Sequence, residues 1–280
     1  MKDSQREAYC ERLNTLPWSR DDEDDDVLLH GESLNIDTVE SLSVNKGPLV
    51  ECLKLQQICS HPHLLCDMKE KYNLESSSKL VFLRHLLRRL YDSPEQRSKN
   101  HRVVVLSRSR KLLDLISLYV RVCVFFCQII STHLPTHRHV QEHNYLKSRF
   151  ARVDGLTCSD PAERAHVFKK FNRMGSELRL LLMTTQVGGV GVTLVGANWL
   201  VMMEPGWNPS SDAQASDRLY RIGQKRPVTV LRLVTSNTVE EIMYRRQIFK
   251  TIVNEATLEK RDLVRSVGVC VCVCFENMIH

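Results

Sequence analysis

Residues 178–194 read LRLLLMTTQVGGVGVTL, an apolar run that ends in a glycine-rich stretch. The run 178–185 is short and almost uninterrupted, which is typical of a parallel strand buried on both faces. Gly188, Gly189 and Gly191 follow it, and glycine after a strand allows a close approach of the backbone to a neighbour. The stretch lacks the GxxxxGK pattern of a phosphate-binding P-loop. Two interpretations therefore stay open: tight packing of the turn, or contact with a ligand.

Strands of the same kind recur on both sides of this stretch and alternate with helical patterns. Further strands are expected at 101–107, 148–155, 199–205 and 228–235. Helices are expected at 76–91, 111–120, 161–173, 212–223 and 238–256. A helix is also expected within 49–66, where Pro62 ends the apolar pattern. This alternation predicts an α/β fold with a doubly wound, mostly parallel sheet.

Composition excludes some classes of protein. The 280 residues carry a net charge of +6, which permits a polyanionic partner but does not demonstrate one. The first residues, MKDSQREAYC, lack the apolar core of a secretory signal, and no run of 18 apolar residues predicts a membrane span. We therefore expect no membrane association, and we expect the ten cysteines to be reduced thiols.

The stretch DAQASDRLYRIGQKRP, residues 212–227, carries the most distinctive charge pattern. In a helix, Gln214, Arg218 and Arg221 share one face, because positions three or four apart are neighbours. Arginine is always charged and presents a planar fork of donors, so two forks on one face suit a phosphate chain. The alternative is an ordinary solvated face on which Asp212 and Asp217 pair with the arginines.

The sequence evidence for a metal site is weaker than that for the arginine pattern. Cys59, His61, His63 and Cys66 contain suitable ligand types, but their spacing matches no standard zinc template. A helix end with packed thiols is the better explanation of these residues. We therefore expect no bound metal.

The ordered set of motifs resembles the second RecA-like lobe of the SNF2 family of superfamily 2 helicase-like ATPases, and in particular the excision-repair 6-like helicases. Four stretches carry the likeness. Motif IV resembles RVVVLSRSRKLLDLI, motif IVa resembles RVDGLT, motif V resembles TTQVGGVGVTL, and motif VI resembles WNPSSDAQASDRLYRIGQ. The segments ICSHPHLL, SSSKLVFLRHLLRRL and TVEEIMYRRQIFK fit the borders of that lobe. The likeness covers roughly residues 50–255, except for 121–140.

The resemblance implies a role for individual residues. Arg218 and Arg221 are expected to be catalytic arginine fingers that reach ATP bound on another lobe. The remaining roles are nucleotide contact by Gln214, Gly189 and Gly191, contact with DNA phosphates by Ser107, Arg152 and Thr185, and coupling between the two by Trp207 and Asn208. Simpler alternatives remain open for some of them: Trp207 as a core residue, Ser107 as the end of a strand, and Arg152 in an ion pair with Asp154. The sequence SRSRK at 107–111 departs from the usual motif IV.

The same resemblance implies what this chain lacks. The sequence contains no GxGKT and no following acidic box, which in the family bind ATP and Mg²⁺ on the first lobe. We therefore expect a DNA-dependent ATPase lobe that is inactive alone, with ATP as cofactor. The expected partners are double-stranded DNA, the missing N-terminal lobe and chromatin proteins, in the nucleus. A truncated, non-catalytic DNA- or partner-binding module is the alternative.

Four regions are expected along the chain. Residues 1–48 form a peripheral, partly disordered lead-in, because the acidic run 21–26 repels itself. Residues 49–78 form a helical linker between lobes, 79–255 the RecA-like lobe, and 256–280 a low-complexity tail. The insert 121–140 and the alternating Val-Cys stretch 268–275 each have two explanations: genuine protein sequence, or translated intron.

Overall fold

The computed structural model describes residues 3–14, 48–65, 74–97, 99–133, 150–158, 160–188, 191–257 and 269–273. The strands are β1 (Val103–Ser107), β2 (Phe150–Val153), β3 (Leu180–Thr184), β4 (Trp199–Met202), β5 (Thr229–Thr235) and β6 (Val269–Val273). The α-helices are α1 (Asp3–Asn14), α2 (Pro48–Ser60), α3 (Ser78–Asp92), α4 (Pro94–Arg97), α5 (Arg110–His133), α6 (Pro161–Asn172), α7 (Thr185–Gly188), α8 (Pro209–Asp217) and α9 (Val239–Thr257).

The strands form one sheet in the order β2-β3-β1-β4-β5-β6. Strand β1 pairs in parallel with β3 and β4, and β3 pairs in parallel with β2. Val105 of β1 lies opposite Leu182 on one side and Val201 on the other. Non-consecutive neighbours require crossovers, and the chain supplies them with helices between the strands. The predicted α/β fold with a parallel sheet is confirmed.

The chain divides into two compact units. The helical unit comprises Met1–Lys79, Glu204–Asp212 and Arg232–His280, and the sheet unit comprises Leu80–Met203 and Ala213–Leu231. These divisions cut across the predicted region 79–255, because the segment that contains α9 clusters with the first helices of the chain. The division into four linear regions stays a prediction.

The core of the sheet unit forms around its central strands. All residues of β1 and β3 are buried, as expected for parallel strands covered on both faces. Phe168 and Phe171 of α6 pack against this core, and Val167 borders it. Asp160 caps α6 by accepting a hydrogen bond from the backbone N–H of Ala162 at 2.9 Å, just before Pro161 at the first helical position. The predicted apolar face of this helix is confirmed.

The helical unit has its own small core of Tyr9, Leu55, Ile58 and Cys59. Gln5 is fully buried, and its Nε2 donates to the carbonyl oxygens of Ile58 and Cys59 at 2.8 and 2.7 Å. These carbonyls lie in the last turn of α2, where helical partners are missing. The expected helix that ends before Pro62 is confirmed, and α1 stabilises that end.

The predicted insert 121–140 and the Val-Cys stretch 268–275 are each described only in part. Helix α5 extends through 121–133, the first part of the predicted insert, and the Val-Cys stretch contains β6. Neither assignment decides between protein sequence and translated intron. The acidic run 21–26 lies outside the described residues. No helix in the described part of the chain is both long and apolar enough to cross a membrane.

Candidate functional site

The two arginines of the predicted site lie on a turn, and the prediction that one helix spans residues 212–223 is wrong. Helix α8 ends at Asp217, before both arginines. The backbone N–H of Leu219 bonds to Ser216 O at 3.0 Å, and that of Gln224 bonds to Arg221 O at 3.0 Å. These bonds span three residues, as in a tight turn. We call residues 218–224 the arginine turn.

Tertiary contacts explain why the helix stops. Leu219 is completely buried in the core of the sheet unit. The side-chain Nε2 of Gln224 donates to Leu219 O at 3.1 Å and to Ala197 O at 2.8 Å, so it takes a carbonyl that a continuing helix needs. Gly223 has a φ of +104°, in the left-handed region that other residues rarely adopt. The chain therefore folds back instead of continuing the helix.

The arginine turn concentrates positive charge without neutralising it. Burial lowers the pKa of Arg218 below its usual value, and the nearby charge of Arg221 lowers it further. The Nε of Arg218 is buried and has no hydrogen-bond partner. Neither arginine forms an ion pair with any residue that the structure describes. The alternative in which acidic neighbours neutralise this face is therefore not realised; Asp217 is exposed.

The glycine-rich segment lies against the arginine turn. Arg221 Nη1 donates to Thr193 Oγ1 at 3.0 Å, and the backbone N–H of Leu194 donates to Arg218 O at 2.9 Å. Gly191, just before them, has a φ of +50° and is exposed with open space around it. Gly189 lies outside the described residues. The structure thus brings together the segment and the turn that the sequence separates by more than twenty positions.

The start of α8 is fixed by a side-chain cap. Asn208 Oδ1 accepts hydrogen bonds from the backbone N–H and the hydroxyl of Ser210 at 3.0 and 2.9 Å, and Pro209 is the first helical residue. Trp207 is half-buried, and Gln214 is exposed in the helix. Asn208 therefore has a local structural role whatever else it does.

The three expected DNA contacts lie near the carboxyl ends of the first three strands. Ser107 ends β1 and is buried; its hydroxyl donates to Ser109 O at 2.9 Å and accepts from Ser109 N–H at 3.0 Å. Thr185 follows β3 directly and is half-buried. The carboxyl ends of parallel strands are where ligands bind in open α/β sheets. The Ser107 hydroxyl is already used in a turn, and contact of these residues with DNA phosphates stays a prediction.

Arg152 is held by two carboxylates. Its Nε donates to Asp154 Oδ2 at 2.6 Å, and its Nη1 forms an ion pair with Asp114. Burial alone would raise the pKa of Asp154, but backbone hydrogen bonds from Thr157 and Leu156 and the charge of Arg152 outweigh it, so the pKa is lowered. The local ion pair that the sequence left open is present.

Sequence reasoning missed the residues that hold the arginine turn in place. Thr193 and Gln224 both stand in the motifs that were singled out, yet neither was assigned a role. The local sequence shows only that Thr193 follows a glycine-rich stretch and that Gln224 follows Gly223. Such residues are common in loops, so neither position stands out.

No metal centre is found among the described residues, where no group of three or more potential ligands comes together. His61 Nδ1 accepts from the backbone N–H of His63 at 3.2 Å, and the His61 ring is buried. Cys59 is buried too, and burial raises the pKa of its thiol. Cys66 lies outside the described residues.

Comparison with known proteins identifies relatives. Residues 78–223 match the model of the helicase conserved C-terminal domain. The chain is 34% identical over 257 residues to the DNA excision repair protein ERCC-6-like of Homo sapiens, covering 81% of this chain and 18% of that protein. It is 34% identical over 209 residues to the DNA repair and recombination protein RAD26 of Saccharomyces cerevisiae, covering 73% of this chain and 17% of that protein.

Among solved structures, the C-terminal part of the Fun30 ATPase domain superposes with a TM-score of 0.52 at 20% identity, covering 88% of this chain and 85% of that chain. At this identity the likeness concerns the fold. The chain spans less than a fifth of the length of the repair proteins that it resembles.

Proposed function

Because the chain belongs to the helicase conserved C-terminal domain family, as an SNF2-type helicase-like C-terminal lobe, we propose that it supplies the arginine-finger half of an ATP-dependent DNA translocase. In this proposal, Arg218 and Arg221 contact the terminal phosphates of ATP, with Gln214, Gly189 and Gly191 beside the nucleotide. A second lobe supplies the phosphate-binding loop and holds Mg²⁺. The expected setting is DNA repair or chromatin remodelling in the nucleus.

The observation that carries the proposal is the uncompensated pair of arginines on the arginine turn. Two guanidinium groups that repel each other, one of them with a buried unpartnered Nε, lower their energy when an anion binds. The adjoining segment at Gly191 is open. A triphosphate, whose charge is spread over several oxygens, matches this arrangement better than a single carboxylate does.

The chemistry follows from positioning and charge. Transfer of a phosphoryl group builds negative charge on its oxygens, and an arginine finger stabilises that charge by roughly 10³- to 10⁵-fold in rate. Thr193 orients Arg221, and the hydrogen bond between the backbone of Leu194 and Arg218 keeps the turn in register with the glycine-rich segment. Without a phosphate cradle the geometry for in-line attack is incomplete, so we expect negligible turnover from this chain alone.

DNA contact is proposed at Ser107, Arg152 and Thr185, with Trp207 and Asn208 coupling it to the arginine turn. Because Arg152 bonds two carboxylates, it must exchange Asp114, which is half-exposed at its side chain, for a DNA phosphate. Contacts of this type read the backbone and are independent of sequence, and they weaken steeply with salt.

The test combines this chain with a polypeptide that carries a GxGKT loop and an acidic box, in trans or as the longer protein. DNA-stimulated ATP hydrolysis is expected only in the combination. Arg218→Lys and Arg221→Lys each lower the rate by at least about 10³-fold, because lysine cannot reproduce the planar fork. Arg245→Lys, an exposed arginine of the helical unit, is the matched control and leaves the rate unchanged.

A non-catalytic DNA- or partner-binding module is the second candidate. It predicts DNA or partner binding with no turnover even when the other lobe is present. The arginine-finger proposal is also contradicted if Arg218→Lys and Arg221→Lys keep full ATP hydrolysis when the second lobe is present.

A further inference from the structure

Helix α9 has an inverted distribution of polar and apolar residues. Its buried positions include Glu240 and Gln247 beside Met243. On the opposite face, large apolar side chains are exposed: Ile242 is 55% exposed, Phe249 67% and Ile252 57%. A surface helix normally turns its apolar stripe to the core and its polar residues to water. The exposed face of α9 therefore has the composition of an interface.

The exposed apolar residues form one stripe. Ile242, Phe249 and Val253 are separated by seven and four residues, so they follow each other along one side of the helix. Residues 242–253 cover about 16 Å of helix, since each residue rises about 1.5 Å. That length matches three turns of a partner helix. We call this stripe, with the groove described next, the α9 face.

A groove of about 470 Å³ adjoins the first turn of the stripe. Its apolar lining includes Leu13 of α1, Cys52 and Leu55 of α2, and Val239 and Ile242 of α9. Its polar lining is Asn237, Thr238, Glu241 and Arg245, together with the phenol of Tyr9. All of these residues belong to the helical unit. A groove whose walls are mainly apolar accepts a large side chain as an anchor, which distinguishes it from a flat surface such as a membrane.

The charge on the α9 face is positive. Arg246 and Lys250 are exposed beside the stripe, and neither forms an ion pair with a described residue. Arg245 is 77% exposed at its side chain and bonds to Glu241 at 2.6 Å. Two copies of this face would bring like charges together, so the charge disfavours self-association. A partner with carboxylates beside an apolar stripe complements it.

We propose that the α9 face is a docking site for an acidic amphipathic helix of about three turns. The partner inserts one apolar side chain into the groove, lays further apolar residues along Ile242 and Phe249, and places its carboxylates next to Arg246 and Lys250. This site is independent of the arginine turn and of ATP.

The probe is a fluorescent 15-residue helical peptide with leucines at positions 1, 4, 8 and 11 and glutamates on both flanks. Its anisotropy is titrated with the 280-residue chain. We expect saturable binding, lost when the same residues are scrambled so that the stripe is broken. Phe249→Gln and Ile242→Gln each weaken binding by at least about tenfold, as expected for interface anchors. Met174→Gln, at another exposed apolar residue, is the matched control and binds as the parent chain does.

A charge exchange tests the partner's chemistry. The double variant Arg246→Glu/Lys250→Glu should reject the glutamate peptide and bind a version with lysines in place of the glutamates. These side chains are exposed, so folding is checked simply by an unchanged circular dichroism spectrum. Equal binding of the scrambled peptide, or no effect of Phe249→Gln and Ile242→Gln, overturns the proposal.

Other occupants give different results. Tighter binding to vesicles with anionic lipid than to the peptide identifies a membrane surface instead. Concentration-dependent dimerisation abolished by Phe249→Gln identifies a second copy. Peptide binding that appears only after the five aspartates of 21–26 are changed to Asn and Glu23 to Gln identifies the chain's own acidic segment. Each of these outcomes overturns the proposed partner, and none of them bears on the arginine-finger proposal.

Discussion

Arg221 donates from Nη1 to the hydroxyl of Thr193 at 3.0 Å, which joins the arginine turn to the glycine-rich segment. The bond uses one of five guanidinium donors and adds no opposing charge. Arg221 is therefore oriented while its charge stays available. A carboxylate in the place of Thr193 would orient the arginine equally well but would neutralise it.

Thr193→Val removes the orienting hydroxyl with almost no change in shape. In the two-lobe reaction we expect turnover to fall by about tenfold, because loss of one hydrogen bond to a charged group is worth about 1.5 kcal/mol. Thr193→Ser retains the hydroxyl and should stay close to the parent rate. Steady-state ATP hydrolysis measures both variants, and equal rates for valine and serine would show that Thr193 does not position Arg221.

Gly223 should be intolerant of a side chain for conformational reasons alone. Its φ of +104° is unfavourable for other residues, although an added Cβ would meet no atom within 4 Å. Gly223→Ala is expected to cost about 1–2 kcal/mol in the free energy of unfolding. Gly155 is the control, since it also has open space but no positive φ, and Gly155→Ala should be neutral or slightly stabilising. Urea denaturation compares them; equal losses would refute the explanation.

The parallel sheet could be predicted from the sequence because each strand is short, apolar and bounded by turn residues. The residue at which helix α8 ends could not be predicted from the sequence. Arg218, Leu219 and Tyr220 are acceptable helix residues, and the local pattern continues the helix up to Gly223. Two tertiary effects stop the helix: the burial of Leu219, and the hydrogen bond from the Gln224 amide to Ala197 O.

For the candidate site residues, the sequence predicted the residue types better than it predicted their surroundings. The proximity of Arg218 and Arg221 agrees with their spacing, whereas the partner of Arg221 comes from a different segment of the chain. Arg152 pairs with Asp154, two positions away, as the sequence suggested, but also with Asp114, which is 38 positions away. A contact at that separation depends on how helix α5 packs beside strand β2, which a local sequence pattern does not show.

Lys79 and Glu240 form a fully buried ion pair in the helical unit, at 2.5 Å. Lys79→Met should destabilise the chain by about 3–5 kcal/mol, because it leaves the buried Glu240 carboxylate uncompensated. The double variant Lys79→Met/Glu240→Gln should recover most of the loss, since the amide oxygen still accepts from the backbone N–H of Thr235. A urea double-mutant cycle measures the coupling.

The matched control for this pair is Lys54 with Glu51, which is partly exposed at Lys54. Lys54→Met should cost at most about 1 kcal/mol, because solvent screens the charge of Lys54 and Glu51 keeps its ion pair with Arg12. Similar losses at Lys79 and Lys54 would mean that burial does not decide the strength of the first pair.

The last prediction concerns acid. The folded-state pKa of Asp154 lies below its ordinary value of 3.8, because the hydrogen bonds and Arg152 outweigh the effect of burial. The folded state therefore binds this proton less readily than the unfolded state does. The stabilisation from Asp154 is complete above the unfolded pKa and is lost as the pH falls through the folded pKa. Asp154→Asn should thus be less stable than the parent at pH 6, with a difference that shrinks below about pH 4. Urea midpoints at pH 6, 4 and 3 give this difference, and titration of the other carboxylates cancels in the comparison. A difference that is constant or grows toward low pH would contradict the lowered pKa of Asp154.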